Sequence, residues 1–232
     1  MVKPILFSTP MVKAILDGRK TQTRRVVKPQ PRSENSYFGG EVTHSTDKKL
    51  MGCVGFCRSP LAVCDHDYAR IRYHVGDVLW VRETWRSTDF EYHDGKWTAS
   101  IQYKDGNKGP RVSWWHPIDF GEPDNCIYFK TGWRPSIHLP REAARLFLRV
   151  TDVKVKRLHD ISLKDIEQEG FYCEPEYMNP FRMVHYAYEP GMRIHFAKFW
   201  DSLNAKRGFS WKTNPWVWVI SFEKTEKPEV GE

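Results

Sequence analysis

The feature that most constrains this chain is a succession of short strand-forming runs with no regular alternation of strand and long helix. Residues 5–7, 21–27, 78–85, 97–103, 126–130 and 216–222 are rich in β-branched and aromatic side chains. Residues 146–150 and 153–156 alternate in polarity and read as one long or bulged strand. Turn signals punctuate these runs. Gly76-Asp77 precedes one, Asp94-Gly95 precedes the next, and Lys28-Pro29 closes the run 21–27, because a residue before proline avoids helical angles. Helical patterns are few. A short helix fits residues 10–17, with Thr9 as N-cap, Pro10 at its first position, a stripe of Met11, Ile15 and Leu16, and Gly18 as left-handed cap. Ser162-Leu163-Lys164-Asp165 resembles a capping box and opens a helix that Gly170 closes. Phe196, Phe199, Trp200 and Leu203 fall at i, i+3, i+4 and i+7 of a third helix. The expected class is α+β, mainly β, and an antiparallel barrel with short peripheral helices suits the tally, as other small barrels do.

Residues 30–74, polar and weakly periodic, read as an insertion, and residues 171–190, with Pro175, Pro180 and Pro190, as a second. Residues 104–125 read as a loop, and residues 223–232 as a frayed charged tail. The length of 232 residues fits one domain over 1–232 carrying both insertions. No apolar run reaches the ~18 residues of a membrane span, and the N-terminal apolar stretch is too short for a signal peptide. The expectation is a soluble, cytoplasmic protein without a membrane partner.

Thirty-six basic against 29 acidic residues leave a net charge of +7, which favours an anionic partner such as nucleic acid. Five cysteines, an odd number, argue against a disulfide framework. Cys53, Cys57, Cys64 and His66 lie within fourteen residues and supply the four ligands of a structural zinc site; the alternative is small buried hydrophobes beside a surface histidine. Cys126 and Cys173 read as buried or free thiols.

The run Gly18-Arg19-Lys20-Thr21-Gln22-Thr23-Arg24-Arg25 concentrates chemistry directly after the first helix. Lys20 and Thr23 can act as base and nucleophile, provided that burial or neighbouring cations lower the lysine pKa. Arg19, Arg24 and Arg25 can clamp an anion; a solvated basic loop is the plain alternative. In a regular strand Lys20 and Thr23 point to opposite faces, so a turn or bulge near Thr21 is needed to join them. Basic residues also neighbour aromatics at Arg82, Trp133, Arg134 and His138, a pattern suited to phosphate contact and base stacking, although core packing is the usual fate of tryptophan.

Gly18-Arg19-Lys20-Thr21-x-Thr23 after a short helix resembles the signature of the ASCH superfamily. Residues 75–83 resemble its Gly-Asp turn into a barrel strand, and residues 166–170 its short helix with an acidic residue. The longer chain, with residues 133–141, resembles the larger ASCH proteins of phages and prophages. The resemblance implies a PUA-like antiparallel barrel with two insertions and an RNA or modified-nucleoside partner. At the motif level it implies the activity of bacterial acetylcytidine amidohydrolases, with Thr23 attacking the acetyl carbonyl, Lys20 as base and Glu169 in support, and no cofactor needed for catalysis. ASCH relatives with ribonuclease activity exist too. A non-catalytic RNA-binding module and a phage accessory protein with a vestigial pocket stay open as alternatives.

Overall fold

A computed structural model describes residues 1–33, 35–58, 66–94, 96–115, 132–171 and 184–228. In chain order its elements are β1 (Val2–Leu6), α1 (Thr9–Leu16), β2 (Gln22–Val26), β3 (Tyr37–Glu41), β4 (Cys53–Cys57), β5 (His66–Arg70) and β6 (Val78–Arg82). They continue with β7 (Trp85–His93), β8 (Lys96–Tyr103), β9 (Lys108–Trp115), β10 (Phe147–Arg157), α2 (Leu163–Gln168), α3 (Val184–Asn204) and β11 (Trp216–Thr225). The chain is mainly β with few helices, and none of its three sheets closes into a barrel among the described residues. It divides into two compact units, one of Met1–Gly18, Gly76–Val150 and Phe222–Glu232, the other of Arg19–Val75 and Thr151–Ser221.

In the first unit β1 runs parallel to β6, and β6 pairs antiparallel with the start of β10. Strands β7, β8 and β9 form an antiparallel meander. The expected turn at Asp94 is present, with φ 49°. Part of the expected loop 104–125 is instead strand β9, while the expected strand 126–130 lies outside the described residues. Trp85, Ile101, Tyr103, Leu139 and Phe147 fill the core of this unit. The Tyr103 hydroxyl donates to the Ala143 carbonyl at 2.6 Å, which removes the penalty of burying it. Arg145 joins Glu83 and Asp105 through hydrogen bonds of 2.6–2.9 Å and lies over the Tyr103 ring. Burial pushes the Glu83 carboxyl up, against the opposing pull of Arg145.

Helix α1 starts one residue earlier than the sequence suggests. Ser8 occupies the N-cap without a side-chain capping bond, and Thr9 is already helical. Its buried residues are Val12, Ala14 and Ile15, so the apolar stripe is rotated from the expected one and leaves Leu16 exposed. Gly18 has φ 76°, the left-handed value expected of a helix-ending glycine. At the other end of the unit, β11 continues to Thr225, and Lys224 and Lys227 donate to the carbonyls of Leu16 and Glu142, so the start of the expected frayed tail is ordered.

In the second unit β11 pairs antiparallel with β2, from Val217↔Val26 to Ser221↔Gln22, and β10 flanks β11 on its other side. The segment 30–74, weakly periodic in sequence, forms the antiparallel sheet β3-β4-β5. Trp216 anchors it. The indole donates to Ser36 Oγ at 3.0 Å and packs on Phe56, while Gln30 bonds both the N–H and the carbonyl of Trp216. Helices α2 and α3 cover the opposite region through Ile166, Met192, Phe196 and Trp200, packed with Val217 and Val219. The capping box of α2 is present, Ser162 Oγ accepting from the Asp165 N–H and Asp165 Oδ2 from the Ser162 N–H. Helix α3 begins at Val184 and passes through Pro190, so the end of the expected second insertion is helical. Leu203, expected on its apolar stripe, is 43% exposed.

Candidate functional site

The site is built where the segment after α1 meets the end of α2. Lys20 and Glu169 form an isolated antiparallel bridge, and the Thr21 N–H bonds the Gln168 carbonyl at 2.9 Å. Gly170, with φ 90°, turns the chain away immediately afterwards. The bridge places two long side chains together: Lys20 Nζ donates to Glu169 Oε2 at 2.6 Å and to the Glu169 carbonyl at 2.9 Å. Lys20 is 2% and Glu169 6% exposed. Glu169 is the C-cap residue of α2, where a carboxylate alone is unfavourable. The ammonium answers this by neutralising the carboxylate and capping a terminal carbonyl in the same contact.

Arg24 completes the cluster. Its Nη1 donates to Gln22 Oε1 at 2.7 Å and approaches Glu169 Oε1 at 3.4 Å, while Nη2 lies 3.1 Å from Asp165 Oδ2. That last contact is an ion pair rather than an aligned hydrogen bond: Arg24 Nε and Nη2 are both buried without a hydrogen-bond partner among the described residues. Asp165 thus serves the capping box and the arginine together. Burial raises its pKa, but the Ser162 hydrogen bonds and the Arg24 charge outweigh this and hold it below the usual range. Burial lowers the pKa of Lys20; Glu169 opposes the shift, and Arg25 and Arg24 add to it. The net lowering is the condition that a lysine base requires.

Pleat alternation sends Gln22 and Arg24 to one face of β2, and Thr23 and Arg25 to the other. Thr23 is buried, 2% exposed, opposite Ile220 on β11, while Arg25 stands opposite Trp218. The structure therefore joins Lys20 to Glu169 and turns Thr23 to the opposite face of β2 from Arg24, so it does not bring the three expected catalytic residues together. Arg25 acts electrostatically on both Lys20 and Glu169. Arg19 is exposed and donates to the Gly170 carbonyl at 3.4 Å. Of the three expected anion clamps, Arg24 is thus an internal partner of carboxylates, and Arg19 is left at the surface.

The other expected binding residues belong to the first unit. Trp133 is 39% exposed, with Arg86 and Lys104 at 4.8 and 4.5 Å from its ring. Arg134 bridges to the Trp85 backbone and lies near its ring. His138 sits exposed in a 3-10 turn. Arg82 stacks over Trp80 at 4.5 Å, and Glu83 beside it pairs with Arg145 instead.

Cys53 and Cys57 stand at the two ends of β4, and both are free thiols. Four residue steps of extended strand separate their Cα atoms by about 13 Å, far beyond the spacing of two ligands on one zinc. Cys57 is in register with His66, Cys53 lies near the Lys49 carbonyl, and Cys64 falls outside the described residues, as do Cys126 and Cys173. The strand holds the two described thiols apart rather than gathering them. Among the described residues no group of three or more His, Cys, Asp or Glu side chains converges as a metal site.

Sequence reasoning missed the internal role of Arg24, because its carboxylate partners are more than a hundred residues away. The signal was Asp165 at the capping position, one helical turn before Glu169. No family model, curated protein or solved structure matches the chain. No helix among the described residues is long and apolar enough to cross a membrane.

Proposed function

We propose that this chain is a cytoplasmic ASCH-type protein with a PUA-like barrel that hydrolyses an acetyl amide on a modified cytidine or a related nucleoside in RNA. The observation that carries the reading is the buried Lys20–Glu169 pair, 2.6 Å apart, with the lysine pKa lowered. The step requires Thr23, which faces away from the cluster in β2, to turn toward Lys20; its Oγ1 then attacks the acetyl carbonyl as its proton passes to Lys20 in the neutral amine form. A Thr23 O–C bond forms, the amide C–N bond breaks, and the departing amine takes the proton back from Lys20. Water then cleaves the acyl-threonine and releases acetate. Glu169 holds the lysine in place throughout. Arg25, in the same row as Thr23, supplies positive charge for the oxyanion. No cofactor enters these steps.

The test is acetate release from N4-acetylcytidine by the wild-type chain and by Lys20→Ala. Turnover by wild type, lost in a folded variant, supports the reading; no turnover by folded wild type rejects the substrate. A second reading, a non-catalytic RNA-binding module, is favoured by one observation: exposed Trp133 with the cations of Arg86 and Lys104 at 4.8 and 4.5 Å from its ring. Binding of RNA without turnover would select it.

A further inference from the structure

The second unit carries a cleft of about 340 Å³ that neither Lys20 nor Glu169 lines. Its buried lining residues are Val54, 2% exposed, and the aromatics Trp218 and Tyr73, each 7% exposed. One wall comes from the inserted sheet and includes Phe38, which is 45% exposed and rests edge-on against Phe56. The other wall is β10, with Lys154 and Lys156. A volume near 300 Å³ is the lower end for small-ligand sites and suits a ligand of nucleotide size.

The charge around the cleft is unbalanced toward positive. Lys154 and Lys156 line it, Arg72 lies over the Tyr73 ring at 5.4 Å, and Arg25 stands opposite Trp218 and acts on Tyr73. Against these stand Glu41 in the lining and Asp152, which pairs with Lys154 at 2.5 Å. Aromatic surface within a cationic rim selects a ligand with a flat π-face and a negative backbone.

We propose that this cleft seats an unpaired base of a single-stranded nucleic acid, with Phe38 as the accessible stacking face and Lys154 and Lys156 at the adjoining phosphates. The proposal rests on the nucleic-acid reading above for its ligand class and not on the lysine chemistry. It gives the inserted sheet a purpose: to add a wall for a strand longer than the reacting nucleoside. A duplex keeps its bases stacked on each other and has none to offer the cleft.

The experiment is fluorescence anisotropy of the full chain with a fluorescein-labelled twelve-residue oligouridylate, beside a blunt RNA duplex of the same length. Wild type is expected to prefer the single strand. Phe38→Ala is expected to weaken binding by roughly 5- to 150-fold, the range seen when one base-stacking aromatic is removed. The double variant Lys154→Glu, Lys156→Glu is expected to flatten the dependence of log Kd on log salt by about 1.4, for two phosphates lost on a single strand. Lys156→Glu alone, which reverses a charge at a partly exposed position, serves where the others fail to fold. Wild-type affinity in the folded variants overturns the proposal. So does a wild-type chain that binds neither RNA, or a dimer that Phe38→Ala dissociates in sedimentation velocity, which would assign the cleft to a second copy. Acetate release from free N4-acetylcytidine is followed in parallel. Its absence with groove-dependent binding intact rejects the hydrolase reading alone, and its presence with groove-independent binding rejects the groove alone.

Discussion

Lys20 gives the cluster its pH dependence. Its folded pKa lies below the ordinary 10.5, so the unfolded chain binds more protons at this residue across the interval between the two values. Through that interval Lys20 makes stability rise with pH, and its contribution levels off above 10.5. Lys20→Met should therefore lose this alkaline rise, and the wild-type-minus-variant difference in urea midpoint between pH 8 and 10.5 isolates it from other titrating groups. A difference that stays flat would mean that Lys20 titrates normally. Arg24 makes a separate prediction. Arg24→Met leaves Glu169 and Asp165 without a shared cation and should cost about 3–5 kcal/mol, as breaking a buried pair does. Arg24→Lys should recover part of it, because one ammonium reaches fewer of these oxygens than a guanidinium fork. Equilibrium denaturation measures both, and a loss under 1 kcal/mol in Arg24→Met would show the contacts to be dispensable. Two separate motifs made the Lys20–Glu169 pairing legible, while Thr23 falls on the other face of β2. The sequence hid Arg24, because a run of arginines reads as surface charge until its distant partners are known.

At the scale of elements, local rules were legible wherever a local bond decides the outcome. The α2 capping box is closed by Ser162 and Asp165 alone, and it forms as read. Ser162→Ala should cost about 1 kcal/mol, the usual loss for an N-cap hydroxyl, as a shift in thermal midpoint. An unchanged midpoint would mean that α2 is fixed by packing alone. The apolar face of α1 was misplaced because tertiary contact selected Val12 over Leu16 within the same two turns. The inserted strands were not legible for a different reason. β3 is exposed along most of its length, so no alternation marks it, and its sheet is tied down through Trp216 far along the chain. Gln30 tests that tie. Gln30→Ala strands the Trp216 N–H, while the carbonyl keeps its bond from the Val27 amide, and about 1–3 kcal/mol should be lost if that N–H stays buried and unpaired. Hydrogen exchange at the Val27 amide, which bonds the Trp216 carbonyl at 3.0 Å, should quicken in the variant. Unaltered protection there would place the anchor in the indole alone.

For the whole molecule, the excess of seven positive charges reads directly from composition, but composition cannot say where an anion lands. The structure offers basic aromatic surface in both compact units: Trp133 with Arg86 and Lys104 in the first, Phe38 with Lys154 and Lys156 in the second. These residues are far apart in sequence, and each lacks a local signature stronger than an aromatic beside a cation. Each surface is tested by itself, because mutations in different units with no shared partner contribute independently. Phe38→Ala and Trp133→Ala should each weaken binding of a twelve-residue oligouridylate. The double variant should equal the sum of the two losses within about 0.5 kcal/mol. Anisotropy titrations of the four chains at one fixed salt concentration decide it. A double variant no weaker than the worse single variant would show that the two residues do not act independently. A Trp133→Ala variant that binds like wild type would leave that indole a stacking partner for Arg86 and Lys104 alone.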